Sequence, residues 1–220
     1  MDRIKTQYQE IFDKFENSSL SELVKRGFCF QYDKEIRNPD VLFVGINPSY
    51  TDDTIFHTFY TKEDVKEISY FKSFDNLAKA TEKTNLSWTH LDLLVCRETK
   101  QANISDVLLK TNEGIDFIYQ QLLVSKALLE QINPKIIVVS NTMARKFLGK
   151  EKTENANKWL DYSFEFDKTK GTDIITSGKL KDTPVFFSSM LSGQRALDNG
   201  SKERLAWQIG LTLDIINKKI

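Results

Sequence analysis

Asp40-Val41-Leu42-Phe43-Val44-Gly45, running straight into Ile46-Asn47-Pro48-Ser49, is the stretch on which the fold turns. Four apolar residues in a row, ended by glycine, leave no polar alternation for a solvent face. Such a run is a strand covered on both sides, as in a parallel sheet. The polar Asn-Pro-Ser that follows predicts a loop at its carboxyl end. Working outward, a helix is predicted near residues 70–81 and a second strand over 91–95. A long amphipathic helix is predicted over 113–131, stopped at Asn133-Pro134. A third buried strand (135–140) precedes a short helix from Asn141 to Leu148. Short strands are expected near 162–166 and 173–176, a last inner strand at 184–187 and a closing helix over 202–217. Upstream, residues 3–26 carry apolar positions at helical spacing, read as two short helices broken at Asn17-Ser18-Ser19, with Ser19 or Ser21 as N-cap. Strands alternating with helices predict a three-layer α/β/α sandwich around a central, mainly parallel four-stranded sheet.

A length of 220 residues, 40 % hydrophobic and 28 % charged, suits one domain spanning 1–220, with the N-terminal helices packed on it. The absence of a long apolar stretch argues against a membrane span, and the polar N-terminus does not resemble a secretory signal. The expectation is a cytoplasmic monomer. Cys29 and Cys96 are the only cysteines and His57 and His90 the only histidines, too few soft ligands for a zinc or iron–sulfur centre. No metal or other cofactor is expected. Lys and Arg (31) balance Asp and Glu (31), so no basic excess drives tight nucleic-acid binding; a local basic groove is compatible with that balance.

In a sheet of this kind ligands bind beyond the carboxyl ends of the strands. The loops to examine therefore start at Gly45, Cys96 and Ser188. In the first, Pro48 fixes φ and Gly45 permits close approach of a ligand, which holds the Asn47 amide at the strand end. That amide can hold a water or a base edge but cannot act as a strong base; an ordinary Asn-Pro turn reads equally well from the local residues. Arg97, in the second loop, is either a buried bridge between loop and sheet or a nucleic-acid contact. Asp52 and Asp53 are solvated turn residues or, if the loop folds inward, a base. Arg145, Lys146, Arg195, Lys202 and Arg204 are candidate phosphate contacts or plain surface charges.

The segment Val41–Tyr50 resembles the first motif of the uracil-DNA glycosylase superfamily, and its Gly-Ile-Asn-Pro core is similar to that of the mismatch-specific uracil/thymine branch. Residues 93–108 resemble the same branch in order and spacing through Arg97, Thr99, Gln101, Ala102 and Asn103, with Glu98 where proline is frequent. Residues 134–148 are similar to its strand-and-helix segment, with Ser140-Asn141 in place of Gly-Lys. In the third loop Ser192-Gly193 match, while Met190-Leu191 replace an Asn-Pro pair and Gln194 stands at the position of a wedge leucine; Arg195 matches after a one-residue deletion.

The resemblance implies a DNA glycosylase that hydrolyses the N-glycosidic bond of uracil or a related deaminated or mismatched base flipped out of DNA. Asn47 would position the water. Gly45, Ile46, Pro48, Ser49 and Asn141 would line the base pocket, with Phe71 (or Phe59) stacking on the base. Arg97, Ser192, Gly193, Gln194 and Arg195 would contact DNA. The alternative is a catalytically inactive protein of the same fold that binds nucleic acid or nucleotide. The absence of a GxSxG elbow, a Walker A loop and a GxGxxG turn speaks against an unrelated α/β enzyme.

Overall fold

A computed structural model describes residues 2–30, 37–50, 58, 60, 66–150, 159–193 and 196–217. Strand β1 (Val41–Gly45) is buried along its whole length. β2 (Trp88–Asp92) and β3 (Ile136–Val139) flank it, both parallel, with Gly45 opposite Asp92 and Val44 opposite both Leu91 and Val139. β6 (Pro184–Phe187) continues the parallel set beside β3. Alternate side chains of these strands feed two separate cores. Leu42, Val44, Ile137 and Val139 pack with α1 (Asp2–Phe15), α5 (Asn112–Ile132) and α6 (Thr142–Leu148). Val41, Phe43, Ile136 and Val138 pack with α3 (Ser69–Ala80) and α7 (Asn199–Ile216). Burial of side chains this size contributes about 1.5–3 kcal/mol each, so a strand apolar on both faces is stable only between two helix layers.

Among the described residues the sheet has six strands, β2-β1-β3-β6 followed by β5 (Thr172–Ile175) and β4 (Phe164–Asp167), which corrects the four-stranded expectation. The parallel four are there, but β5 joins β6 antiparallel and β4 pairs antiparallel with β5. Their pattern carries little apolar signal because β4 is the edge: Glu165 and Phe166 are exposed, and the charges of Glu165 and Asp167 discourage further strand addition.

The second strand also lies earlier than the predicted 91–95. It spans Trp88–Asp92, and Leu93, Leu94 and Val95 are a buried loop beyond it. Apolarity marks burial rather than ladder pairing, and this segment is buried without being a strand. Its backbone is satisfied by Leu94 N–H on Ile46 O (2.8 Å) and by Val95 and Cys96 N–H, which both donate to the buried Gln121 Oε1 at 3.0 Å. The long helix, the short helix after β3 and the closing helix match their predicted ranges to within about a turn. Asn133, in the left-handed region at φ 50°, ends α5 as its Asn-Pro pair implied. At α2 (Ser21–Val24) neither predicted serine is the cap: Leu20 holds that position, and Ser18 Oγ accepts its N–H at 3.0 Å. α4 (Gln101–Asp106), six residues within the second-loop region, has no counterpart among the predicted elements. Among the described residues, no helix is long and apolar enough to cross a membrane.

Candidate functional site

The three loops meet. A cavity of about 350 Å³ at the carboxyl ends of β1, β2 and β3 is lined by Gly45–Ser49 from the first loop, Glu98 and Thr99 from the second, and 190–193 from the third. Asp92, Ser140 and Asn141 line it at the strand ends, and Tyr60, Tyr70 and Phe71 form its aromatic side. The volume is at the lower end of small-molecule sites, enough for a single heterocycle.

The first two loops are held together as a continuation of the sheet. Glu98 N–H donates to Pro48 O at 3.0 Å, and Tyr50 N–H to Thr99 Oγ1 at 3.0 Å. Asn47 completes the tie. Its Nδ2 donates to Glu98 O (2.6 Å) and Pro48 O (2.9 Å), with Cys96 O at 3.4 Å. Three carbonyl oxygens around one atom fix the amide orientation, since only nitrogen can donate to them. What this half-buried side chain has left to offer the cavity it lines is its acceptor oxygen.

Asp92 is the residue the sequence reading missed. It ends β2 opposite Gly45, is 7 % exposed, and lines the cavity. Its Oδ1 lies 3.2 Å from His90 Nε2. A Cβ on Gly45 would come within 2.1 Å of that same Oδ1 and 2.9 Å of Tyr70 Oη, so the glycine is there because carboxylate and phenol converge on it. A signal was present: a lone carboxylate within the apolar run Leu91–Val95 must have a reason to be buried. Burial, then the Asp92 charge, push the Tyr70 phenol well above its ordinary value despite the hydrogen bond with Ser140. Burial, then the neighbouring Cys29 side chain and the Asp92 charge, do the same for Tyr60. Both phenols keep their protons at neutral pH.

Glu98 anchors the second loop. Burial opposes its ionisation, but hydrogen bonds from Asn103 and the Lys100 N–H and the Arg26 charge outweigh that and hold the carboxyl below the usual range. Arg26 Nη1 sits 2.7 Å from Glu98 Oε2. Arg97 is 8 % exposed; its Nη1 donates to Arg26 O at 3.3 Å, and the guanidinium lies 5.2 Å from the Tyr50 ring, which Arg26 also covers at 4.8 Å. Arg97 is thus placed as a buried link between the second loop and the turn after α2.

Of the expected pocket residues, Gly45, Ile46, Asn47, Pro48, Ser49, Phe71 and Asn141 all line the cavity. Two differ from expectation in what they present. Asn141 is the N-cap of α6, its Oδ1 accepting from Met143 and Ala144 N–H at 2.8 and 3.2 Å, so that oxygen is not free to read a base. Phe71 is 1 % exposed and packs edge-on against Tyr60 and His90, a wall of the aromatic cluster rather than a projecting platform. Ser192 and Gly193 line the cavity mouth. Phe59, Gln194, Arg195, Asp52 and Asp53 lie outside the described residues. Among the described residues no three His, Cys, Asp or Glu side chains are grouped to hold a metal ion. No protein-family model matches the chain, and no curated protein matches it.

Proposed function

We propose that the chain is a DNA glycosylase of the uracil-DNA glycosylase type, hydrolysing the bond between deoxyribose and a damaged or mismatched base flipped into this cavity, uracil being the first candidate. The observation that carries the reading is the meeting of three sequence-distant loops at one heterocycle-sized cavity with Asn47 in its lining. Cleavage sends the electron pair of the glycosidic bond to the base and leaves positive charge on the sugar. The Asn47 oxygen would accept a hydrogen bond from the attacking water, holding it for the sugar carbon. With no strong base among the first-loop residues described, the step would be slow and would depend on positioning.

One observation favours the second reading, a glycosylase fold that binds nucleic acid or nucleotide without cleavage. Met190-Leu191 stand where the resemblance has an Asn-Pro pair, and Leu191 is 3 % exposed and packed in the core with α3 and α7, so this position offers no polar group to a flipped base. The test is incubation with single strands and duplexes carrying uracil, followed by alkali to reveal abasic sites. Cleavage by the native chain, lost in Asn47→Ala while the melting temperature stays within a few degrees, supports the glycosylase. Binding of strands without abasic sites supports the second reading, and neither binding nor cleavage refutes both.

A further inference from the structure

The side chains of the cavity point to its ligand. The described lining contains two carboxylates, Asp92 and Glu98, and no Lys, Arg or His. The amide of Asn47 offers an acceptor, because its donors are committed to loop carbonyls. Glu98 is satisfied by Arg26, Asn103 and the Lys100 N–H. Asp92 differs: among the described residues it has no Lys or Arg partner, and its Oδ1 lies 3.2 Å from Nε2 of His90, a ring stacked on Phe74 (centroids 5.4 Å apart) and itself 1 % exposed. A carboxylate removed from water is stabilised by whatever donates to it, and a ligand in this cavity is the available source.

Such a lining is a poor match for uracil. The uracil edge alternates carbonyl, N–H, carbonyl, so an acceptor-only carboxylate against its N–H meets carbonyl oxygens on either side. On cleavage uracil also leaves as an anion, and that charge would develop beside Asp92. A ring with neighbouring N–H donors reverses both terms. Guanine offers N1–H and the 2-amino group side by side. When its imidazole ring is alkylated it is a cation, so the electron pair of the breaking bond leaves it neutral while water adds to the sugar carbon and gives up a proton to solvent. The aromatic side of the cavity (Tyr60, Tyr70, Phe71) suits a flat or cationic ring as well.

We propose that the pocket takes a guanine-type base, neutral or ring-alkylated, in preference to uracil, and that Asp92 makes the choice by accepting its paired N–H donors. This rests on reading the cavity as a base pocket, and two separate arms test it. The first is calorimetric binding of 9-ethylguanine and 1-methyluracil to the full chain, which needs no catalysis. The guanine analogue is expected to bind at least about tenfold more tightly. Asp92→Asn, which restores one donor and one acceptor, is expected to shrink that ratio at least about tenfold or reverse it. Equal or tighter binding of 1-methyluracil by the native chain, or no binding of either, overturns the proposal whether or not the variant folds; an unchanged ratio in a folded variant does so too.

The second arm compares strands bearing 7-methylguanine with strands bearing uracil. Faster release of 7-methylguanine extends the proposal to bases held in DNA. Tight 9-ethylguanine binding with no excision from any strand keeps the ligand assignment for the free base and removes the glycosylase. Uracil excision with a ratio favouring 1-methyluracil does the opposite.

Discussion

Gly45→Ala sets two opposing effects against each other, and the structure decides their sign. Gly45 is outside the left-handed region, so the backbone tolerates alanine there. Loss of unfolded-state freedom would by itself stabilise the variant by about 0.4–1 kcal/mol. Against this, the new methyl would lie 2.1 Å from Asp92 Oδ1 and 2.9 Å from Tyr70 Oη. The carboxylate would have to retreat by about 1 Å to reach ordinary contact, in surroundings where its Oδ1 already lies 3.2 Å from a His90 ring packed against Phe74, Phe71 and Tyr70. Overpacking of this kind costs about 1–3 kcal/mol. The clash wins, with a net loss near 1–2 kcal/mol, and for a chain of this length that is a fall of roughly 2–8 °C in melting temperature. The assay is thermal unfolding of Gly45→Ala, Asp92→Ala and the double variant. Removing the carboxylate removes the worst contact, so the double variant is expected to be more stable than the sum of the singles predicts by at least about 0.5 kcal/mol. Strict additivity, or a Gly45→Ala protein that melts with the native chain, would show that Asp92 does not occupy the space beside β1.

Two further outcomes follow from the loops. The Glu98 carboxyl is held below its ordinary value in the folded chain, so its contribution is present above the unfolded value near about 4.3 and disappears as pH falls through the lower folded value. Glu98→Gln is therefore expected to lose about 1–3 kcal/mol at pH 7 and progressively less below about pH 4; urea midpoints that differ as much at pH 3 as at pH 7 contradict this. Asn141→Ala removes the cap of α6 and is expected to lower stability by about 1 kcal/mol, whereas Asn141→Asp, which keeps the accepting oxygen, is expected to stay close to the native chain in the same unfolding experiment.

The legible parts of this fold were those where one physical demand dominated. Val41–Gly45 and Pro184–Phe187 are apolar because they are covered on both faces, and the sequence shows that directly. Asn133-Pro134 stops a helix by sterics alone. The predictions failed where two demands were confounded. Leu93–Val95 is as apolar as a strand but gets its backbone partners from β1's own loop and from Gln121, a side chain 25 or more residues away that no local pattern reveals. At the site, residue types could be read but not their commitments. Asn47 and Asn141 are both amides at strand ends, yet one spends its nitrogen on loop carbonyls and the other its oxygen on a helix cap. Which half of an amide remains for a ligand is a tertiary fact.

The row at the strand ends explains how so small a set of residues can govern the pocket. Gly45 ends β1, Asp92 stands opposite it on β2, and Ser140 follows β3, its N–H donating to Val44 O at 3.1 Å. Neighbouring strands thus present glycine, carboxylate and hydroxyl at one level, and the glycine is the gap into which its neighbours reach. Because the ladder below this row is made of backbone hydrogen bonds and apolar packing, none of these side chains is needed to form the sheet. Substitution at Asp92 should therefore alter what the cavity accepts far more than it alters the architecture, and Gly45 should tolerate a side chain only after Asp92 has been shortened. If the cavity takes a base as proposed, a pocket organised in this way would change ligand by exchanging one strand-end residue, which would put its specificity at Asp92 rather than at the Asn-Pro turn.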